Sequence, residues 1–388
     1  MTEASDFIPF HKTLIDESDI SEVVACLESG WITTGPKVAE FERAFAEYVG
    51  ARFAVGVNSC TAAMHLGVAG LGLGPGDEVI TTPYTFVATS EVILYMGAKP
   101  VFVDVLPDDA NIDPDRIEGA ITSRTKGIMP VHIAGFPVKM DRVKKIADDR
   151  GLWIVEDAAH ALETRYQERR AGRWGTAGAY SFYATKNITS AEGGMLVTDD
   201  EHLADRARML SLHGMTRDAW KRYTSTGSWY YEVVAQGYKY NLTDVLAALG
   251  LSQLRKVEFW LARRTGFAWT YSEAFSKHPA LVIPNAQSQA RLAWHFYPLR
   301  LRLDRLRIGR AEFIERLRAQ GIGTSVHFIP LHLHPYYREN LGYRKGQFPN
   351  AEAFYEAEIS LPLYPALTEN EVERVVETVI GVADESLK

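Results

Sequence analysis

Apolar residues first recur at helical spacing in Val38, Phe41, Phe45 and Tyr48, with Pro36 at a position suited to the first turn and Gly50 to stop the run. This predicts a helix over 36–48, the first in the chain. The short continuous run 53–57 reads as a buried strand, and a polar loop then leads into a small-residue helix over 62–73. Gly74-Pro75-Gly76-Asp77 is a turn by composition. Beyond it the pattern predicts strands over 78–82, 99–105 and 127–132, and helices over 89–96 and 140–150. Asp113-Pro114 has the form of a helix start, with the helix continuing to Ile121. A strand from Leu152 runs into Glu156-Asp157, and 179–183 and 194–197 are strand-like. Strands alternating with helices in this way predict an α/β fold whose mainly parallel sheet is covered on both faces. After Leu203 come longer helices and an aromatic stretch over 220–240. From Leu281 a second α/β mixture begins, with strand-like 293–301 and helix-like 310–320. Two domains are expected, a large one over 1–255 and a smaller C-terminal one over 256–388.

Composition narrows the function. Of 388 residues 46% are hydrophobic, enough for a sizeable core. Forty-two basic residues against forty-nine acidic ones give a net charge of −7, which argues against the broad basic face a nucleic-acid binder needs. An anionic ligand must therefore be held locally. Two cysteines, Cys26 and Cys60, cannot form a disulfide framework and fit a reducing compartment. The N-terminus lacks a basic region followed by an apolar one, and no run of apolar residues is long enough to span a bilayer. The expectation is a soluble, cytoplasmic protein with neither nucleic-acid nor membrane partners.

Two stretches mimic functional motifs. Gly70-Leu71-Gly72-Leu73-Gly74-Pro75-Gly76 is glycine-rich, but it follows a helix and precedes a strand, the reverse of a dinucleotide-binding fingerprint. His332 and His334, with His327 nearby, lack a third ligand at a standard spacing, so no metal site is expected.

Three features stand at strand ends, where open α/β sheets place their sites. Asn58-Ser59-Cys60-Thr61 leads into a helix, and successive N–H groups with a hydroxyl there suit one phosphate. Asp157 closes a buried apolar strand, where a carboxylate needs a charged or hydrogen-bonding partner such as a pyridinium N–H. Lys186 lies between two strand signals among small residues and glycines, a setting for a desolvated amine capable of Schiff-base chemistry. Taken singly these also read as a helix cap, a structural ion pair and a solvated surface lysine. Together and in this order they describe a site for pyridoxal 5'-phosphate.

The chain also resembles the DegT/DnrJ/StrS sugar aminotransferases, a branch of the fold-type I pyridoxal phosphate enzymes. The resemblance is carried by Ser29-Gly30-Trp31 through Gly35-Pro36, Asn58 through Ala62, Thr82-Pro83-Tyr84-Thr85-Phe86 through Thr89, and Pro130-Val131-His132. It continues through Glu156-Asp157-Ala158-Ala159-His160, Lys186-Asn187-Ile188-Thr189, Glu192 through Met195, Gly237 through Asp244 and Gly321 through His327. It implies a large domain with a mainly parallel sheet flanked by helices, followed by a smaller α/β domain. Lys186 would be the Schiff-base lysine and Asp157 the partner of the pyridine nitrogen. Phe86 would stack on the ring, and His160 would stand near the phenolic oxygen, where the family often has glutamine. Cys60, through its backbone N–H, Thr61 and Ser181 would hold the phosphate, with Asn241 reaching it from a neighbouring subunit of a homodimer.

The implied reaction moves an amino group from L-glutamate, leaving 2-oxoglutarate, to a nucleotide-linked keto-sugar. The most similar members aminate C4 of a UDP-linked keto-sugar, as do the 4-amino-4-deoxy-L-arabinose aminotransferases. Those tend to carry tryptophan where this chain has Phe86. Trp31, Thr34 and His327 would line the substrate mouth. Two alternatives share the fold: a pyridoxamine-dependent nucleotide-sugar dehydratase, whose members replace the lysine with histidine, and a non-catalytic regulatory protein. Lys186 and the intact set around it weigh against both. The aromatics Tyr223, Trp229, Tyr230, Tyr231, Tyr238 and Tyr240 suit a surface where two subunits meet.

Overall fold

The computed structural model describes residues 7–216, 230–286 and 290–388. Its first helix, α1 (Glu17–Glu28), was not signalled by periodicity, because only Asp19 and Cys26 of its twelve residues are buried. A capping box starts it: Asp16 accepts from the N–H groups of Ser18 and Asp19, and the Asp19 carboxylate accepts from the N–H of Asp16. Helix α2 (Pro36–Val49) follows as expected, and Gly50 ends it at φ 77°, a conformation that favours glycine.

Strand and helix then alternate: β1 (Phe53–Val57), α3 (Cys60–Gly70), β2 (Glu78–Thr81), α4 (Ala88–Tyr95), β3 (Lys99–Phe102), β4 (Thr125–Ile128), α5 (Met140–Arg150) and β5 (Trp153–Asp157). A small ribbon, β6 (Arg165–Tyr166) and β7 (Arg169–Arg170), precedes β8 (Ala177–Ser181) and β9 (Gly194–Thr198). The main sheet has seven strands in the order β1-β9-β8-β5-β4-β2-β3. All pairings from β8 to β3 are parallel, and β9 alone runs antiparallel to both its neighbours.

Alternate side chains along each strand feed opposite faces. Val55, Val155 and Leu196 pack with Leu66 of α3, Val92 of α4 and Leu203 of α6 (Glu201–Ser211). On the other face Ala54, Met195 and Val197 meet Phe41 and Phe45 of α2 and Leu251 of α7 (Asp244–Leu254), while Ile128 and Ile154 meet Val143 of α5.

Helix α8 (Val257–Phe275) spans two cores: Val257 and Trp260 pack with α2 and α7, whereas Phe267, Tyr271 and Phe275 join the C-terminal core. That core gathers β10 (Leu281–Val282), β12 (Tyr297–Leu301) and, later, β13 (Glu358–Leu361) into an antiparallel sheet, with β11 (Ala290–Arg291) pairing instead with β6. Helices α9 (Arg310–Ala319), α10 (Pro335–Leu341), α11 (Pro349–Ala357) and α12 (Glu369–Glu385) complete it. The N-terminal segment joins it too, as Ile8 exchanges backbone hydrogen bonds of 2.8 Å with Gly321 and Gly323.

Four expectations need correction. The segment 113–121 is not one helix but two single 3₁₀ turns, Pro114–Arg116 and Glu118–Ala120. A stretch this short, weakened by Gly119, does not sustain an α-helical ladder. The strand expected over 99–105 stops at Phe102. The one over 127–132 spans Thr125–Ile128 and continues only as an isolated bridge of Val131 to Asp157. The run over 293–301 is broken by Trp294 at φ 49°, so pairing resumes only at Tyr297. Tyr223 and Trp229 lie outside the described residues. Among the described residues no helix is long and apolar enough to cross a membrane.

Candidate active site

The C-terminal ends of β1, β5 and β8 open into a cavity of about 500 Å³. At its base is the turn into α3. The Ser59 hydroxyl caps the helix by accepting from the N–H of Ala62 at 3.1 Å, so the N–H groups of Cys60 and Thr61 belong to a first turn with no intrahelical acceptors. Strand β9 passes so close that a Cβ on Gly194 would lie 2.4 Å from the Ser59 backbone. That glycine keeps the turn where Ser181, at the end of β8, lines the same cavity. Burial pushes the Cys60 thiol pKa well up, so this residue brings an N–H and no charge.

Asp157, the last residue of β5, is buried. Its Oδ2 accepts from the Thr89 hydroxyl at 2.7 Å and its Oδ1 from the N–H of Ala159 at 3.1 Å. Among the described residues no cation pairs with it, which leaves a buried carboxylate facing a cavity. Lys186 lines the same cavity, and burial pushes its amine down to about 8 against the opposing pull of Cys60 and Asp157. At pH 7 roughly one molecule in ten would carry it neutral. Phe86 leaves an apolar ring 57% exposed in the cavity wall, with the Phe328 ring 5.9 Å away.

Three imidazoles form the opposite wall. The N–H of Ala134 donates to His160 Nδ1 at 3.3 Å, so the neutral ring carries its proton on Nε2. His295 has the reverse tautomer. Asn187 Nδ2 donates to Glu163 and to the carbonyl of Ala293, so its Oδ1 must accept from His295 Nδ1, 3.0 Å away. The two rings stack at 4.3 Å. Burial, reinforced by Lys186, holds the pKa values of both rings well below the ordinary histidine range and lowers that of His327 to about 3. The wall is polar and uncharged.

Behind it Glu163 forms a buried ion pair with Arg264 at 2.5 Å, anchoring the asparagine next to Lys186. Neither Glu163, Arg264 nor His295 was found from sequence. The available signal was a histidine and a tryptophan interrupting the apolar run over 293–301.

The structure thus brings Cys60, Thr61, Phe86, Asp157, His160, Ser181, Lys186 and His327 around one cavity. Trp31, Thr34 and Asn241 do not line it. They form their own cluster, in which Asn241 Nδ2 donates to Thr34 Oγ1 at 2.7 Å, Thr34 Oγ1 donates to the Leu242 carbonyl at 2.5 Å, and Trp31 Nε1 donates to the Thr34 carbonyl at 3.1 Å. That cluster abuts the turn at Ser59, since the N–H of Asn58 donates to the Tyr240 carbonyl. His332 pairs with Glu352 at 2.8 Å.

The model of the DegT/DnrJ/EryC1/StrS aminotransferase family matches residues 13–380. The chain belongs to this family. It is 50% identical over 374 residues to the Bacillus subtilis spore coat polysaccharide biosynthesis protein SpsC, covering 96% of each chain. Among solved structures it is similar to the PLP form of a Streptococcus pneumoniae protein named as a sugar aminotransferase, with a TM-score of 0.92 and 37% identity over 98% of this chain and all of that one. It is also similar to Helicobacter pylori PseC, an aminotransferase involved in pseudoaminic acid biosynthesis, at a TM-score of 0.92 and 31% identity over 98% and 100% of the two chains. The protein is a sugar aminotransferase, and its cofactor is pyridoxal phosphate.

The donor set fits that cofactor. It combines paired amides and hydroxyls, a buried carboxylate with no ion pair among the described residues, an uncovered aromatic face and a desolvated amine. The cradle beneath Ser59 would be filled by any side chain at Gly194.

Proposed function

We propose that this sugar aminotransferase takes its amino group from L-glutamate and delivers it to a nucleotide-linked keto-sugar, at C4 of a UDP-linked substrate. The observation that carries the reading is the character of the cavity wall. Its three histidines are neutral, and no arginine lines the cavity among the described residues. Such a wall offers hydrogen bonds to the hydroxyl and keto oxygens of a sugar. The kinship with SpsC and PseC supports a sugar acceptor.

In this reading the amides of Cys60 and Thr61 and the Ser181 hydroxyl bind phosphate, Asp157 holds the ring nitrogen's proton, and Phe86 covers one ring face. His160 Nε2–H donates to the phenolic oxygen. Bound pyridoxal phosphate supplies an electron sink and a carrier for the amino group. Lys186 Nζ takes the proton from the donor's α-carbon and returns one at the sugar carbon. His327 faces the sugar nucleotide in this cavity, which Trp31 and Thr34 do not line. A panel of nucleotide keto-sugars offered with glutamate should yield amino-sugar from a UDP-linked 4-keto substrate. Product only from 3-keto or non-nucleotide sugars would overturn the assignment.

We further propose a two-fold homodimer in which Asn241 serves the partner's phosphate site. Tyr230 and Tyr231 are exposed, at 56% and 43%, which supports a covering subunit. Lys239 Nζ lies 2.5 Å from Asn241 Oδ1, so Asn241→Asp keeps a local partner while placing a charge beside the phosphate. Mixed with Lys186→Ala, itself inactive, it should form heterodimers with one working site in two. Random reassortment then restores about a quarter of wild-type activity. Verified mixing without recovery would refute the shared site.

A further inference from the structure

His327 is held from behind by groups that the proposed reaction does not use. Its Nδ1 lies 2.8 Å from Ser360 Oγ, Ser360 Oγ lies 2.5 Å from Glu358 Oε1, and Glu358 Oε2 accepts the His327 backbone N–H at 3.0 Å. Glu358 and Ser360 are fully buried on β13, where Ser360 also exchanges backbone hydrogen bonds with Ser325. The Tyr84 hydroxyl donates to the His327 carbonyl at 2.6 Å, and the Phe296 ring stacks on the imidazole at 4.5 Å. The imidazole therefore meets a buried carboxyl through a single hydroxyl while its other edge lines the cavity.

Proton counting restricts this chain to two states. The Ser360 hydroxyl has one proton to give. If Glu358 is ionised, Ser360 donates to Oε1, His327 must donate from Nδ1, and Nε2 is bare. If Glu358 carries a proton on Oε1, it donates to Ser360, Ser360 donates to Nδ1, and the imidazole proton sits on Nε2. The states differ by one proton. It leaves from Nε2 as the Ser360 proton moves to Nδ1 and the Glu358 proton to Ser360, and it returns by the reverse path.

We propose that Glu358, acting through Ser360, is a positioning residue that sets which nitrogen of His327 carries hydrogen, and that His327 Nε2 thereby gives and retakes one proton at the substrate while the ring stays neutral. This rests on the reading of His327 as a substrate-facing residue.

The electrostatics support the relay. Burial raises the Glu358 carboxyl to about 8, opposed by Ser360, the His327 amide and Arg310. The ionisable groups around it are His327, Tyr84 and Arg310, whose guanidinium is engaged with the Tyr355 carbonyl. Burial, reinforced by Lys186, keeps His327 from becoming an imidazolium. Below about pH 8 the chain presents Nε2–H as a donor to a keto oxygen, and above it presents a bare acceptor.

The direct test is nitrogen-15 NMR of His327 in the cofactor-loaded protein from pH 6 to 10. The wild type should pass from the Nε2–H to the Nδ1–H tautomer with a midpoint near 8. Glu358→Gln, whose amide donates to Ser360 but cannot ionise, should hold Nε2–H throughout, and Ser360→Ala should lose the coupled transition. In keto-sugar turnover the relay contributes a fall in kcat/KM of about tenfold between pH 7 and 9, which Glu358→Gln should reduce to less than twofold. A single tautomer across the range in the wild type, or an unchanged transition in Glu358→Gln, would overturn the proposal. Should that variant not fold, the wild-type titration and Ser360→Ala decide. His327→Ala tests the reading beneath it: unaltered keto-sugar kinetics would remove His327 from the substrate site, whereas the NMR transition is read independently of turnover.

Discussion

Lys186→Ala should abolish amino transfer and leave the fold standing. The Lys186 amine has no hydrogen bond or ion pair with other described residues and opens into an existing cavity, so its loss breaks no internal network. Removing a desolvated cation that has no ion pair relieves the burial cost that depresses its pKa, so the variant should be at least as stable as the wild type at pH 7. In the proposed role Lys186 supplies both the anchoring amine and the base, and deleting such a group costs on the order of a thousandfold to a millionfold. Steady-state turnover, thermal unfolding and the visible absorbance of lysine-bound cofactor check this together. A variant with normal turnover would end the proposed role of Lys186, and one with no turnover but a collapsed melting transition would mean that the lysine is structural.

What could be read without coordinates follows from how local each signal is. The runs at 53–57 and 152–155 are free of polar residues because their strands are buried on both faces, and a polar residue at such a run's end stands out. Asp157 and the turn at Ser59 were visible for that reason, and Lys186 because glycines follow it at Gly193-Gly194. Helix α1 escaped because its start is a polar capping box and its buried face is narrow. The network behind the lysine escaped for a different reason. His295 reaches Asn187 across 108 residues and Arg264 reaches Glu163 across 101, so neither pair leaves a trace in local periodicity. The relay to Glu358 is similar: the alternation of 358–361 marks a strand, but only the fold shows that His327 lies against it.

Asp157→Asn should still bind cofactor and lose about a hundredfold to a thousandfold in kcat. The replacement is nearly isosteric, and the surrounding bonds can be remade. The amide oxygen can accept from the N–H of Ala159. The amide nitrogen can donate to Thr89 Oγ1, whose own proton can turn to the Phe86 carbonyl, 3.3 Å away. The fold and the turn at Ser59, which lies on a different strand end, are therefore preserved. What is lost is a buried negative charge. A neutral amide cannot hold a proton on the ring nitrogen, and an unprotonated pyridine is a poor sink for the electrons released at the substrate carbon. The same charge opposes the depression of Lys186, so its removal should also move the lysine titration in the cofactor-free protein below about 8. Spectroscopic titration with pyridoxal phosphate, turnover with glutamate, and the pH dependence of Lys186 modification separate these effects. Unchanged turnover with lowered stability would make Asp157 a structural residue. Retained cofactor affinity with kcat reduced in both half-reactions is the result expected of a carboxylate that serves the ring nitrogen.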